Sequence, residues 1–117
     1  MKLQDYLDEL VGLEGVQGAL ISLKNGLLAA SSFTGDADEN ALAATAAAVF
    51  DAMNRHFIEA GLGEVVDTII ETSSYSIQIV GANDLILVVF AEKRMNVKEI
   101  RLHMRRTAIE LAERDQS

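Results

Sequence analysis

Five strand-like runs, divided two and three by a single long helical stretch, constrain the fold of this 117-residue chain more than any other feature. The run VQGALISL over 16–23 is almost wholly apolar or small, and LLAASSF over 27–33 follows across Lys24-Asn25-Gly26, so the two read as a hairpin on an Asn-Gly turn. Past the helical stretch come EVVDTIIET over 64–72, YSIQIV over 75–80 and LILVVFA over 85–91, separated by Ser73-Ser74 and by the segment 81–84. Turns this short force antiparallel pairing. The last run is apolar on both faces and belongs in the middle of a sheet beside 16–23, which gives the strand order 2-1-5-4-3 and leaves 64–72 on an edge.

Three helical patterns complete the reading. Leu3, Leu7, Leu10 and Val11 repeat at helical spacing among Asp5, Asp8 and Glu9, predicting a helix over 3–13 that Gly12 and Gly15 close. Asp36, Asp38 and Glu39 supply the cap and negative charge for a second helix that runs to about residue 60, where Gly61 and Gly63 stop it. Val97, Ile100, Met104, Ala108 and Leu111 form one stripe of a third. The element order is αββαβββα: an α+β domain over 1–117, a five-stranded antiparallel sheet with helices on both faces.

The chemistry-bearing residues are sparse. With no Cys, two His on separate helices and no elbow or calcium-loop pattern, the chain offers no triad and no metal-ligand spacing, and it is read as a non-enzymatic protein without catalytic, metal or cofactor residues. Gly12, Gly15 and Gly18 close a helix and enter a strand, the reverse of a phosphate loop, and Gly61-Leu62-Gly63 lacks the third glycine of a dinucleotide fingerprint. A net charge of −8 disfavours nucleic acid and anionic membrane as partners. No apolar run approaches the length of a membrane span, and the acidic amphipathic start differs from a signal peptide, so the expected location is the cytoplasm without membrane insertion.

Two features ask for a protein partner. The Ala-rich helix has one stripe, Leu42, Ala46, Val49, Met53 and Phe57, suited to covering the sheet, and a second, Ala43, Ala47, Phe50 and Asn54, open to a helix of another subunit. The edge run carries neither Pro nor Lys and is apolar on both faces. A homodimer with a continuous sheet satisfies both, through Ala43, Ala47, Phe50, Asn54, Val66, Thr68 and Ile70, and Ala47→Arg is then expected to break it. Charge is also unevenly placed: residues 93–117 hold seven basic and four acidic side chains, against three and fourteen in the rest. Arg94, Lys98, Arg101 and Arg105, with Leu102 and Ile109 beside them, make a candidate surface for an acidic partner.

The element order, the segment Leu13-Glu14-Gly15-Val16-Gln17-Gly18-Ala19-Leu20-Ile21, the Lys24-Asn25-Gly26 turn and the Ala-rich second helix together resemble the Roadblock (dynein light-chain) family, in its prokaryotic single-domain form. The resemblance implies a Roadblock/profilin-like fold and a non-enzymatic module that dimerises through its second helix and third strand. It also implies a partner, a small Ras-like GTPase whose nucleotide cycle such modules regulate by remodelling its switch regions. A structural adaptor for a motor or scaffold complex, with no effect on a nucleotide cycle, is the alternative. A small-ligand sensor with a pocket between the layers is a third reading.

Overall fold

The computed structural model describes residues 1–93 and 96–115. In chain order its elements are α1 (Leu3–Val11), β1 (Val16–Leu23), β2 (Leu28–Phe33), α2 (Glu39–Glu59), β3 (Asp67–Glu71), β4 (Tyr75–Ala82), β5 (Leu85–Glu92) and α3 (Val97–Asp115). One antiparallel sheet holds all five strands in the order β2-β1-β5-β4-β3, as the hairpins and the two most apolar strands predict. Strands β1 and β5 sit at the centre, with Gly18 opposite Phe90 and Leu23 opposite Leu85.

Side chains alternate across the pleat, so each central strand feeds two cores. On one face Leu7, Leu10, Ala19, Ile21, Leu87, Val89, Ile100 and Met104 join α1 and α3 to the sheet. On the other, Leu20, Ile79, Ile86, Val88 and Phe90 meet Ala43, Ala46, Ala47 and Phe50 of α2. The Asp38 carboxylate caps α2 by accepting from the Ala41 N–H at 3.1 Å.

Several boundaries shift by one to three residues from the sequence reading, two of them with a visible cause. Helix α1 stops at Val11, capped by the Gly12 N–H on the Asp8 carbonyl. Strand β3 begins at Asp67, three residues later than expected, because the segment before it is tied to α2: the Val65 N–H donates to Asn54 Oδ1 at 2.8 Å.

The α1/α3 face also encloses polar groups. Ser76 and Gln78 of β4 are both 2% exposed, and Ser76 Oγ and Gln78 Nε2 have no hydrogen-bond partner. A buried donor without an acceptor costs about 1–3 kcal/mol, and an apolar side chain of similar shape removes that cost. Gln78→Met is therefore expected to raise the thermal midpoint by about 4 °C or more. A lowered midpoint in a melting experiment would show that the amide is bonded in solution.

Candidate functional site

The structure turns the second stripe of α2 inward. Ala43, Ala47 and Phe50, expected at a subunit interface, are 0%, 3% and 3% exposed and pack on the protomer's own sheet, and Asn54 is held by Val65. The cause is volume. Large side chains of β1, β4 and β5 already fill the layer beneath the helix, so only small residues let it approach, and the one large residue admitted, Phe50, lies over the missing side chain of Gly81. Of the stripe expected to cover the sheet, Ala46 is buried, Leu42, Val49 and Met53 are half-buried, and Phe57 is 44% exposed.

That outward stripe continues into an apolar rim. Ile58 is exposed, and Leu62 projects from a loop in which Gly61 and Gly63 both take positive φ, 78° and 89°, a region that favours glycine. Val66 follows, 61% exposed, and then β3, where Thr68 and Ile70 lie on the α2 side and are half-buried. The sheet's two edges are unlike. Gln4 of α1 donates to the Ser31 carbonyl of β2, whereas β3 pairs only with β4 and presents its outer edge without Lys or Pro.

On the opposite face, α3 carries the basic flank. Arg101 donates to both oxygens of Asp67 at 3.2 and 3.3 Å, and Arg105 Nε to Asp67 Oδ2 at 2.8 Å, so one carboxylate, 12% exposed, ties α3 to the edge strand. Leu102 and Ile109 are 67% and 61% exposed, Lys98 is exposed, and Arg94 lies outside the described residues. No sequence signal singled out Asp67, because its partners are 34 and 38 residues away.

The remaining chemistry is thin. Among the described residues no group of His, Cys, Asp and Glu is placed to hold a metal ion, and no helix is long and apolar enough to cross a membrane. His56 and His103 sit on helices at opposite faces of the sheet. Gly18 lies within β1 beneath the Phe33 ring, a packing role. What the arrangement offers is surface: an apolar stripe with an open strand edge on one side, and a basic, apolar-studded helix on the other.

Comparison with known proteins agrees with this architecture. The Roadblock/LC7 domain model matches residues 2–91, which leaves α3 outside the match. Two uncharacterized proteins of Methanocaldococcus jannaschii are each 36% identical over 100 residues, covering 86% of this chain and 88% of theirs. Among solved structures, a Roadblock/LC7 domain from Streptomyces avermitilis superposes with a TM-score of 0.90 at 16% identity over 100% of both chains. Myxococcus xanthus MglB does so with 0.88 at 22%, over 97% and 94% of the two chains. Acanthamoeba castellanii profilin IB shares the fold more distantly, with a TM-score of 0.68 at 24% identity over 97% and 99% of the chains. By the family model, which spans most of its length, the chain belongs to the Roadblock/LC7 family.

Proposed function

We propose that this protein is a cytoplasmic, non-enzymatic homodimeric module that binds a small Ras-like GTPase and modulates its nucleotide cycle. The observation that carries the first half is the continuity of the outward α2 stripe, the Leu62 rim and the open β3 edge. A strand edge without Lys or Pro is a template for pairing, and its own copy is the partner always present. Pairing β3 with β3 across a two-fold axis extends the sheet to both subunits and brings the two α2 stripes together. The interface then consists of Leu42, Val49, Met53 and Phe57 with Val66, Thr68 and Ile70. One solved MglB is described as having a tetrameric arrangement, so a protein of this fold does self-associate.

The GTPase half rests on family membership: Roadblock modules of prokaryotic type resemble partners of such GTPases, and the surface here suits protein contact better than small-molecule chemistry. No arginine in the chain is nominated as a catalytic finger, so any stimulation works by remodelling the GTPase. The test has two readings. Light scattering is expected to give a mass of two 12.7 kDa chains, and a single-chain mass would end the dimer. With a small GTPase encoded in the same genome, the expected result is a complex whose hydrolysis or exchange rate changes when this protein is added. An unchanged rate in a stable complex would replace regulation by the adaptor reading.

A further inference from the structure

We infer that the Glu71 carboxylate of each subunit completes an ion cluster on the other, joining Asp67, Arg101 and Arg105 across two paired β3 strands and fixing their register. The inference rests on the β3-to-β3 pairing proposed above and adds to it which residues meet. Hydrogen bonds on the inner side of β3 decide what its outer edge presents. The Gly81 N–H donates to the Val66 carbonyl at 3.2 Å and the Thr72 N–H to the Tyr75 carbonyl at 2.9 Å, while Asp67 stands opposite Val80. In an antiparallel ladder that pattern turns the backbone groups of Thr68 and Ile70 towards β4 and those of Asp67, Ile69 and Glu71 outward. A two-fold axis perpendicular to the sheet pairs each residue with one on its own face, so the register centres on a residue. Centring on Ile69 sets Ile69 against its copy and Asp67 against the partner's Glu71, and it uses every outward N–H and C=O of the three. Centring on Thr68 would need the Val65 N–H, which Asn54 holds, and centring on Ile70 would set Asp67 against Ser73, beyond the end of the strand.

Asp67 and Glu71 thus meet on the face that carries α3. Like charges directly opposite destabilise a ladder. The cations that offset them are in place. Arg101 and Arg105 both reach Asp67, at 3.2 and 2.7 Å, so each chain alone brings two guanidinium groups to one carboxylate. Both arginine side chains are 46% exposed, and neither Nη1 takes part in the bonding to Asp67. Glu71 is exposed and makes no ion pair with any described residue of its own chain. Residues directly opposite have Cβ atoms about 5 Å apart, a gap that a glutamate leaning towards the two arginines closes. Two carboxylates and two guanidinium groups then balance at each end of the shared ladder.

The chain has no Cys, so a single introduced one is a clean probe of register. Ile69→Cys, at a position 40% exposed, is expected to form an inter-subunit disulfide under mild oxidation, because opposite residues of a hydrogen-bonded pair have Cα atoms about 5.5 Å apart. Thr68→Cys, whose copy lies diagonally at about 7–8 Å, is not. Sedimentation at falling concentration reads the cluster. Glu71→Gln is expected to raise the dimer dissociation constant about tenfold at low salt and less at high salt. In the Arg101→Gln/Arg105→Gln background the sign inverts, and the same change tightens the dimer, since only repulsion from Asp67 remains. A single-chain mass at every concentration overturns the dimer and the cluster together. A dimer that Ile69→Cys fails to cross-link overturns this register and the cluster with it, and leaves the dimer standing. Cross-linking at Ile69 with an unchanged or tighter Glu71→Gln dimer overturns the cluster alone.

Discussion

Ala43→Arg is expected to unfold the protein rather than split a dimer. Ala43 is fully buried between α2 and the sheet, among Leu20, Ile86 and Val88, with no carboxylate in that cluster to receive a guanidinium. An unpaired buried charge costs several kcal/mol, comparable with the whole stability of a small domain, about 5–15 kcal/mol. The overpacking adds to it. Circular dichroism should show loss of the cooperative transition at room temperature. Ala47→Arg strikes the same layer and reports on the core before it reports on any interface. Met53→Arg supplies the contrast, since on the half-buried outward stripe a long side chain can reach water. It should leave the circular dichroism spectrum native and lower the mass from two chains towards one. A folded, dimeric Ala43→Arg protein would mean that α2 presents its other face to the sheet.

Gly18→Val should be nearly as damaging, for a steric reason. A Cβ at Gly18 would stand 2.2, 2.4 and 2.8 Å from Cδ1, Cε1 and Cγ of Phe33. That ring cannot simply step aside, because its centroid lies 5.5 Å from that of Phe90, the residue opposite Gly18 on β5. Two aromatic side chains from the flanking strands occupy the space that a side chain on β1 would take. Displacing them should cost about 3 kcal/mol, or a fall of roughly 15 °C in the thermal midpoint. Phe33→Leu in the Gly18→Ala background should recover part of the loss, a coupling visible in a double-mutant cycle. Additive effects would place the Phe33 ring elsewhere.

Strand pairing was legible because it is local. The Asn-Gly turn at 25–26, the segment 81–84 and the short link at Ser73-Ser74 each commit neighbouring runs to antiparallel partners, and the apolar character of 85–91 puts that strand inside. Asn83 even takes positive φ, 56°, as its side chain allows. The late start of β3 was not legible, since the bond that removes Val65 from the ladder comes from Asn54, eleven residues back on α2. Nor was the anchoring of α3, which depends on Asp67 finding Arg101 and Arg105 across the edge of the sheet. Of the candidate site, the sequence singled out α2 and β3, but it expected Ala43, Ala47 and Phe50 to point outward, and the structure buries them against the protomer's own sheet.

By itself, then, the sequence determined the element order, the antiparallel pairing of the hairpins and the order of the strands, because periods of 2 and 3.6 and the chemistry of tight turns act between near neighbours. It also determined that α2 has two apolar stripes. Which stripe meets the sheet was left to the tertiary structure, since both stripes repeat with the same period and differ only in size. The choice falls to the volume that Leu20, Ile79, Ile86, Val88 and Phe90 leave beneath the helix, a space bounded by three strands from both halves of the chain. Small residues fit that space, and Val49, Met53 and Phe57 are turned outward.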